Sequence, residues 1–220
     1  MLAVPIVLTL FAILNLKETS ILSLLVVLTA LITFFAFFEF KHIRARDLMP
    51  IVCLTALSVA GRMIFVAIPN FKPVLAIAII AGICFSRESG FLVGALSALI
   101  SNMFLGQGVW TPWQMYAWGM VGYLAGVLND SGFFKKNLYI YIFSVMAAML
   151  SNFLLNTWYI FSFITPITIK SALAAYALAL PFDISFAVSS LFFLILILVP
   201  WKNRLFRIKQ KYDIMNKNTF

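Results

Sequence analysis

The chain has 220 residues, of which 64% are hydrophobic and only 10% are charged, and its formal net charge is +9 at pH 7. A soluble domain would normally contain about 25% charged residues, because its surface must be solvated. The composition therefore excludes a soluble domain and predicts an all-α integral membrane protein.

Apolar runs separated by polar residues, glycines and prolines predict eight transmembrane helices. In chain order, they cover about residues 1–15, 20–39, 48–68, 73–85, 89–105, 113–128, 138–160 and 176–200. Pro69 and Pro73 end the third helix because proline interrupts helical hydrogen bonding. Several runs are shorter than the ~20 residues of a straightforward span. We therefore expect broken helices or connections that fold back into the protein.

The positively charged residues cluster in alternate connections. Most of the 16 Lys and Arg residues lie in the loop over 41–47, the connections over 86–89 and 129–137, and the tail after Pro200. The positive-inside rule places such connections in the cytoplasm. We therefore expect a multi-pass protein of the plasma membrane with both termini in the cytoplasm. The charges follow the loops, so they indicate orientation in the membrane rather than nucleic-acid binding.

Small residues recur at helical spacing in three of the predicted helices. They are Ala56 and Ala60, then Gly90, Gly94 and Ala98, then Gly122 and Gly126. Such spacing lets two helix backbones approach closely in lipid. The pattern is typical either of packing inside the protein or of a docking face for another membrane protein.

The sequence contains no recognisable catalytic constellation. It has seven Asp and Glu residues and one histidine, His42, which lies in the basic loop. A membrane protease needs a nucleophile and a base, and a metalloenzyme needs a cluster of ligands. The GxxxxGK[ST] phosphate-binding motif is also missing from the sequence. We therefore expect no enzymatic activity, no metal site, no intrinsic cofactor and no ATP hydrolysis by this chain.

Two charged residues fall inside predicted helices. Arg62 lies in the third helix and Asp183 in the eighth, both towards the outer side of the membrane. A charge at depth is costly and usually has a partner, a water-filled cavity or a ligand. Arg62 and Asp183 are therefore predicted either to form an ion pair or to line a polar pocket.

The outward connections are rich in aromatic and amide side chains. The segment from Gly106 to Trp118 contains three tryptophans together with Gln107 and Gln114. Tryptophan commonly anchors a protein at the membrane interface, which explains only some of these residues. Amides among glycines and aromatic rings are typical of a pocket for a large, partly polar ring system.

Several of these segments resemble a known family. They are Gly61-Arg62, Pro69-Asn70, Lys72-Pro73, Gly106-Gln107-Gly108 and Trp110-Thr111-Pro112-Trp113-Gln114-Met115. Over residues 48–200 the chain resembles the substrate-binding (S) component of energy-coupling factor (ECF) vitamin transporters. The resemblance is closest to the cobalamin-specific branch.

The resemblance implies a six-helix core over 48–200. Residues 1–40 depart from the family pattern, because they are predicted to form two extra N-terminal transmembrane helices. A cytoplasmic loop over 41–47 connects them to the core, and residues 201–220 are expected to form a cytoplasmic tail. Substrate is expected to bind near the outer face, under the loops of the core. The candidate substrate-binding residues are Arg62, Asn70, Lys72, Gly106, Gln107, Gly108, Trp110, Thr111, Gln114, Asn156, Trp158 and Asp183.

The resemblance also implies the partners of the chain. An S component captures a vitamin as transported substrate and associates with a transmembrane coupling (T) component and two ATPase subunits. The family carries an AxxxA pattern that packs on the T component, and Ala56 and Ala60 stand at that place. Cobalamin is the expected substrate, with riboflavin and pantothenate as alternatives.

Other functional classes remain open from the residues alone. A stand-alone secondary transporter would need coupling-ion sites or polar residues along several helices, whereas only Arg62 and Asp183 are charged at depth. An assembly protein would explain the small-residue faces but not the outer aromatic and amide residues.

Overall fold

The computed structural model describes residues 45–214, together with the isolated positions 25, 28, 29, 31 and 32. Residues 45–214 form six helices, which confirms the predicted all-α class for this part of the chain. They are α1 (Ala45–Ile64), α2 (Val74–Cys84), α3 (Arg87–Leu105), α4 (Thr111–Asp130), α5 (Asn137–Phe163) and α6 (Ile169–Lys211). The two predicted N-terminal helices lie outside the described residues, apart from those five positions.

Four described helices are long and apolar enough to cross a membrane: α1, α3, α5 and α6. The helix α2 is strongly apolar but has only 11 residues. Lipid-facing surfaces are apparent on the longer helices, where large apolar side chains such as Met49, Phe104 and Leu178 are exposed. Such exposure is expected where hydrocarbon replaces water as the solvent.

The short helix α2 lies at the centre of the bundle. All of its residues from Val74 to Cys84 are buried, and it packs against each of the other five helices. A helix that is apolar on every side is suited to such a position. It therefore forms the axis around which the longer helices are arranged.

Glycines bring α2, α3 and α4 into backbone contact. A Cβ atom added at Gly122 of α4 would collide with the backbone of Gly90 on α3, and one at Gly82 of α2 would collide with the carbonyl oxygen of Gly122. Gly94 lies equally close to the backbone of Trp118. The glycines of α3 and α4 thus serve packing inside the protein, which was one of the two predicted uses of the small residues.

The helix α6 extends well beyond its predicted bounds. It begins with a capping box in which Thr168 and Ser171 satisfy each other's backbone amides. It continues through Pro200 to Lys211, so the segment predicted as a tail from residue 201 is helical over its first half. The predicted end of this helix at about residue 200 is too early, because Trp201, Leu205 and Phe206 pack against the core and extend it.

The end of α6 also contacts the end of α2. Lys209 donates hydrogen bonds from Nζ to the backbone oxygens of Phe85 and Cys84, at 2.7 and 3.1 Å. A cation at a helix C-terminus satisfies carbonyl groups that have no partner within the helix and interacts favourably with the helix dipole. This contact closes the end of the bundle that carries the basic residues of α6.

Candidate functional site

An indole ring lies at the centre of the candidate site. The guanidinium of Arg62 and the ammonium of Lys72 are 5.0 and 5.1 Å from the ring centroid of Trp118. The Lys72 ammonium is also 4.8 Å from the ring of Phe186, whose centroid is 6.2 Å from that of Trp118. Cations at these distances are attracted to aromatic faces. The cluster joins α1, the α1–α2 connection, α4 and α6.

The polar partners of both cations are neutral. Arg62 donates to the hydroxyl of Ser101 and, at 2.8 Å, to the side-chain oxygen of Asn102. Lys72 Nζ lies 3.4 Å from Oδ1 of Asn70. Within residues 45–214 neither cation forms an ion pair. The cluster therefore carries positive charge that no nearby carboxylate neutralises.

Lys72 is held firmly in the connection between α1 and α2, outside the spanning helices. Its backbone N–H donates to Oγ of Ser189 at 2.7 Å, and the same hydroxyl donates to its carbonyl oxygen at 3.1 Å. Burial, together with the positive charge of Arg62, lowers the pKa of the Lys72 ammonium group to about 7. An electron-rich or anionic ligand beside these cations would favour the charged form.

A side-chain amide network links this cluster to α4. Nδ2 of Asn102 donates to Oγ1 of Thr111 at 3.0 Å and to Oε1 of Gln114 at 2.7 Å. Because Asn102 also accepts from Arg62, one buried amide connects the ends of α1 and α3 with the start of α4. The structure thus brings together three of the predicted residues, Arg62, Thr111 and Gln114.

The carboxylate of Asp183 is bound by two amides of α5. Its two oxygens accept from Asn152 and Asn156, each at 2.9 Å. These asparagines are one helical turn apart, so both side chains reach the same carboxylate. The ion pair between Arg62 and Asp183, one of the two predicted arrangements, is wrong, because each group has other partners.

Asn70 connects the α1–α2 segment with α6 near Asp183. Its Nδ2 lies 3.3 Å from the carbonyl oxygen of Phe182, the residue that precedes Asp183. The backbone of Asn70 has a φ of 57°, a left-handed conformation that asparagine adopts more readily than most residues. Asn70 is therefore placed between the cation cluster and the Asp183 cluster.

The remaining predicted residues have contacts of their own in the described structure. Gly106, Gln107 and Trp110 are exposed in the α3–α4 connection, where Gln107 donates to the carbonyl oxygen of Leu99 at 2.9 Å. Gly108 donates its backbone N–H to Thr111. Trp158 is buried and its ring packs against Phe163 at 5.7 Å.

Trp118 and Phe186 were not among the predicted site residues, nor were Ser101 and Asn102. A signal for Trp118 exists in the sequence, because it follows Thr111 and Gln114 at helical spacing and shares their face of α4. Its Nε1 is buried and has no hydrogen-bond partner in the described structure. Buried polar groups are rarely left unpaired, and Nε1 of Trp118 is one of seven such buried side-chain atoms in the described residues.

Ala56 and Ala60 lie on a different surface. Both are exposed on α1 and border an apolar groove between α1 and α3 with a volume of about 420 Å³. The groove is also bordered by Val59, Leu96 and Phe104. Unlike the glycines of α3 and α4, these alanines are not covered by another described helix.

The described part of the chain holds no cluster of three or more His, Cys, Asp or Glu side chains that could bind a metal ion. What the residues do provide is a set of aromatic faces, cations and amides in a multi-helical bundle. This arrangement is suited to non-covalent binding of a polar aromatic molecule.

The fold and these residues define a multi-pass membrane protein with a candidate ligand site. A family model described as "ECF-type riboflavin transporter, S component" matches residues 42–202. The chain therefore belongs to this family of ECF transporter S components. Membership confirms that it is a transporter subunit rather than an enzyme.

Two proteins of Aliivibrio fischeri, from strains MJ11 and ES114, are each described as a UPF0397 protein and are 29% identical to this chain over 118 residues. The matched stretch covers 48% of this chain and 63% of each relative. The chain thus spans less than two thirds of the length of these curated relatives. No solved structure matches it.

The family match corrects the predicted branch. The sequence was expected to fall closest to cobalamin-specific S components, but the matching family is that of riboflavin transporters. The expectation was wrong because tryptophans and amides suit many large heteroaromatic rings. Such residues indicate a ring-binding site without specifying the ring.

Proposed function

We propose that this chain is the riboflavin-capturing S component of an ATP-driven ECF importer in the plasma membrane. The observation that carries the proposal is the match of residues 42–202 to the riboflavin family. Riboflavin has a flat tricyclic ring with apolar faces, an edge of carbonyl and nitrogen groups, and a hydroxylated chain. Each of these parts has a chemical counterpart in the candidate site.

The ring system suits the Trp118 cluster. The rings of Trp118 and Phe186 are each 1% exposed, so they position the two cations for the ligand and do not themselves offer a free face. Arg62 and Lys72 are donors without a carboxylate partner in the described structure, so they suit the electron-rich carbonyl edge.

The hydroxylated chain suits the polar residues that surround this cluster. We assign hydrogen bonding to Asn70, Thr111, Gln114, Asn156 and Asp183. The Asp183 carboxylate accepts from two amides and keeps further lone pairs that hydroxyl groups could use. Gly106, Gln107, Gly108, Trp110 and Trp158 are proposed to cover the ligand from the outer connections.

The orientation proposed for the chain follows its charges. The start of α1 and the end of α6 carry Arg46, Lys209 and Lys211, and the positive-inside rule places them in the cytoplasm. Both termini are then cytoplasmic, and the α3–α4 connection faces outwards. Residues 1–40 precede the matched region and are proposed as two additional transmembrane helices.

The partners proposed are a T component and two ATPase subunits. The sequence has no phosphate-binding motif, so the energy for import must come from another chain. We assign docking of the T component to the groove at Ala56 and Ala60. Exposed small residues let a partner helix approach closely where packing replaces the hydrophobic effect.

The proposed function is tested by uptake of labelled riboflavin into cells that cannot synthesise it. The chain is expressed with the T component and ATPases of its own genome, or with ATPases whose phosphate-binding lysine is replaced. We expect riboflavin uptake only with active ATPases. Uptake without active ATPases would indicate a secondary transporter. Uptake of another vitamin but not of riboflavin would contradict the proposed substrate.

A further inference from the structure

A second groove lies at the opposite end of the bundle from the Trp118 cluster. It runs between the first half of α1 and the last turns of α6 and has a volume of about 630 Å³. Its apolar floor includes Met49, Pro50, Cys53, Phe85, Leu205 and Ile208. None of these residues belongs to the proposed riboflavin site or to the Ala56 groove.

The rim of this groove is charged. It carries Arg46, Lys211 and Asp213, with Tyr212 beside them. Arg46 and Asp213 form an ion pair at 3.1 Å, and their side chains are 43% and 50% exposed. Within the described residues, two cations and one carboxylate give the rim one net positive charge.

The floor of the groove continues onto the lipid-facing surface of α1. Met49, on the floor, is 63% exposed. Apolar side chains exposed on a spanning helix face the hydrocarbon of the bilayer. Among the described residues nothing closes the groove on this side, so a lipid molecule can enter it sideways from the membrane.

We propose that this groove binds one anionic phospholipid. The acyl chain lies on the apolar floor, and the phosphate is bound by Arg46 and Lys211. A phosphodiester carries one negative charge, which matches the net charge of the rim, and a guanidinium has several donors that suit phosphate oxygens. Tyr212 lies where an aromatic side chain is favoured, at the level of the headgroups.

The distribution of charge favours a lipid over a soluble ligand. The cations lie at one end of the groove and the apolar residues fill the rest, which is the pattern of an amphiphile. A free phosphate or a nucleotide would leave the apolar floor uncovered. The proposal does not depend on which vitamin the chain carries.

The proposal is tested by native mass spectrometry of the full chain in detergent, with phosphatidylglycerol or phosphatidylcholine added. We expect one phosphatidylglycerol to be retained in preference to phosphatidylcholine. The double variant Arg46→Gln/Lys211→Gln should bind phosphatidylglycerol at least about tenfold more weakly, because each cation near a surface adds to anionic lipid binding. The double variant Lys135→Gln/Lys136→Gln, which removes two exposed cations elsewhere, is the matched control and should bind normally.

The variant Asp213→Asn distinguishes a role of Arg46 in lipid binding from a purely structural role of its ion pair with Asp213. This variant removes the carboxylate that competes with phosphate for Arg46, so it should bind phosphatidylglycerol more tightly than the wild type. Asparagine tolerates the φ of 48° at this position. Equal retention of both lipids, equal losses in the two double variants, or weaker binding by Asp213→Asn would each overturn the proposal.

Discussion

Arg62 at the end of α1 donates a hydrogen bond of 2.8 Å to the side-chain oxygen of Asn102 on α3. The amide of Asn102 donates in turn to Thr111 and Gln114, so a single side chain joins three helices. A charged group inside a membrane protein needs such partners. Here they are an amide, a hydroxyl and an indole ring rather than a carboxylate.

Replacing Asn102 with Ala should destabilise the protein markedly. The change leaves Arg62 without one acceptor and leaves Thr111 and Gln114 without their shared donor, all in a buried setting. We expect a loss of about 1–3 kcal/mol in the free energy of unfolding, the usual cost of unpaired buried polar groups. Thermal unfolding in detergent measures it.

The control for this variant is Asn129→Ala, which removes one hydrogen bond of 3.3 Å to the carbonyl oxygen of Ile83. It should lower the unfolding temperature less than Asn102→Ala does. A larger effect in the control would contradict the importance assigned to the Asn102 network.

The substitutions Arg62→Gln and Asp183→Asn should act independently on stability. The two residues share no hydrogen-bond partner, since Arg62 contacts Ser101 and Asn102 whereas Asp183 contacts Asn152 and Asn156. Independent sites are additive to within about 0.5 kcal/mol. The double variant should therefore show the sum of the two losses, and recovery of stability in it would reveal a direct pair.

Six helices were predictable from the sequence because long apolar runs must be helical in lipid. The central position of α2 was not, since an apolar run of 11 residues reads equally as a short span or a buried helix. The extension of α6 past Pro200 was missed because the basic residues there suggested a solvated tail. The contact that holds it, from Lys209 to Phe85, joins residues distant in sequence.

The candidate site was also predictable only in part. Arg62 and Gln114 were identified because polar residues in apolar surroundings are unusual, whereas Lys72 was identified through the family resemblance. Which groups meet is a matter of tertiary packing, and the sequence does not show that Arg62 and Lys72 share one indole ring. Trp118 falls within the predicted helix over 113–128, but it was not singled out as a site residue, and it lies buried in α4.

Replacing Lys209 with Met should destabilise the protein at the end of the bundle that carries the basic residues. Its ammonium satisfies two carbonyl groups at the C-terminus of α2, and charged hydrogen bonds of this kind contribute about 1.5–3 kcal/mol. We expect a clear fall in the unfolding temperature. Arg207→Met, a change at an exposed cation two residues away, should have little effect. Equal losses in the two variants would argue against a stabilising contact between Lys209 and the C-terminus of α2.

Replacing both Ala56 and Ala60 with Trp should block docking of the T component without affecting vitamin binding. Two indoles would fill the apolar groove between α1 and α3, which lies apart from the Trp118 cluster. Co-purification with a tagged T component and riboflavin binding by the isolated chain are measured in parallel. Leu57→Trp, on an exposed face of the same helix outside the groove, is the control and should assemble normally.

Loss of riboflavin binding together with normal assembly in the Ala56/Ala60 variant would contradict the assignment of this groove. Normal behaviour in both assays would show that the T component docks elsewhere.

The most direct test of the proposed function is a titration of the purified chain with riboflavin in detergent. Binding is monitored through the quenching of flavin fluorescence. Binding beside the aromatic residues of the site should quench the flavin with one binding site per chain. Lys72→Met, which removes a cation from the cluster, should weaken binding about tenfold or more while the protein stays folded. A folded, monodisperse chain that binds no riboflavin, or that binds it equally well without Lys72, would contradict the proposed substrate or the proposed site.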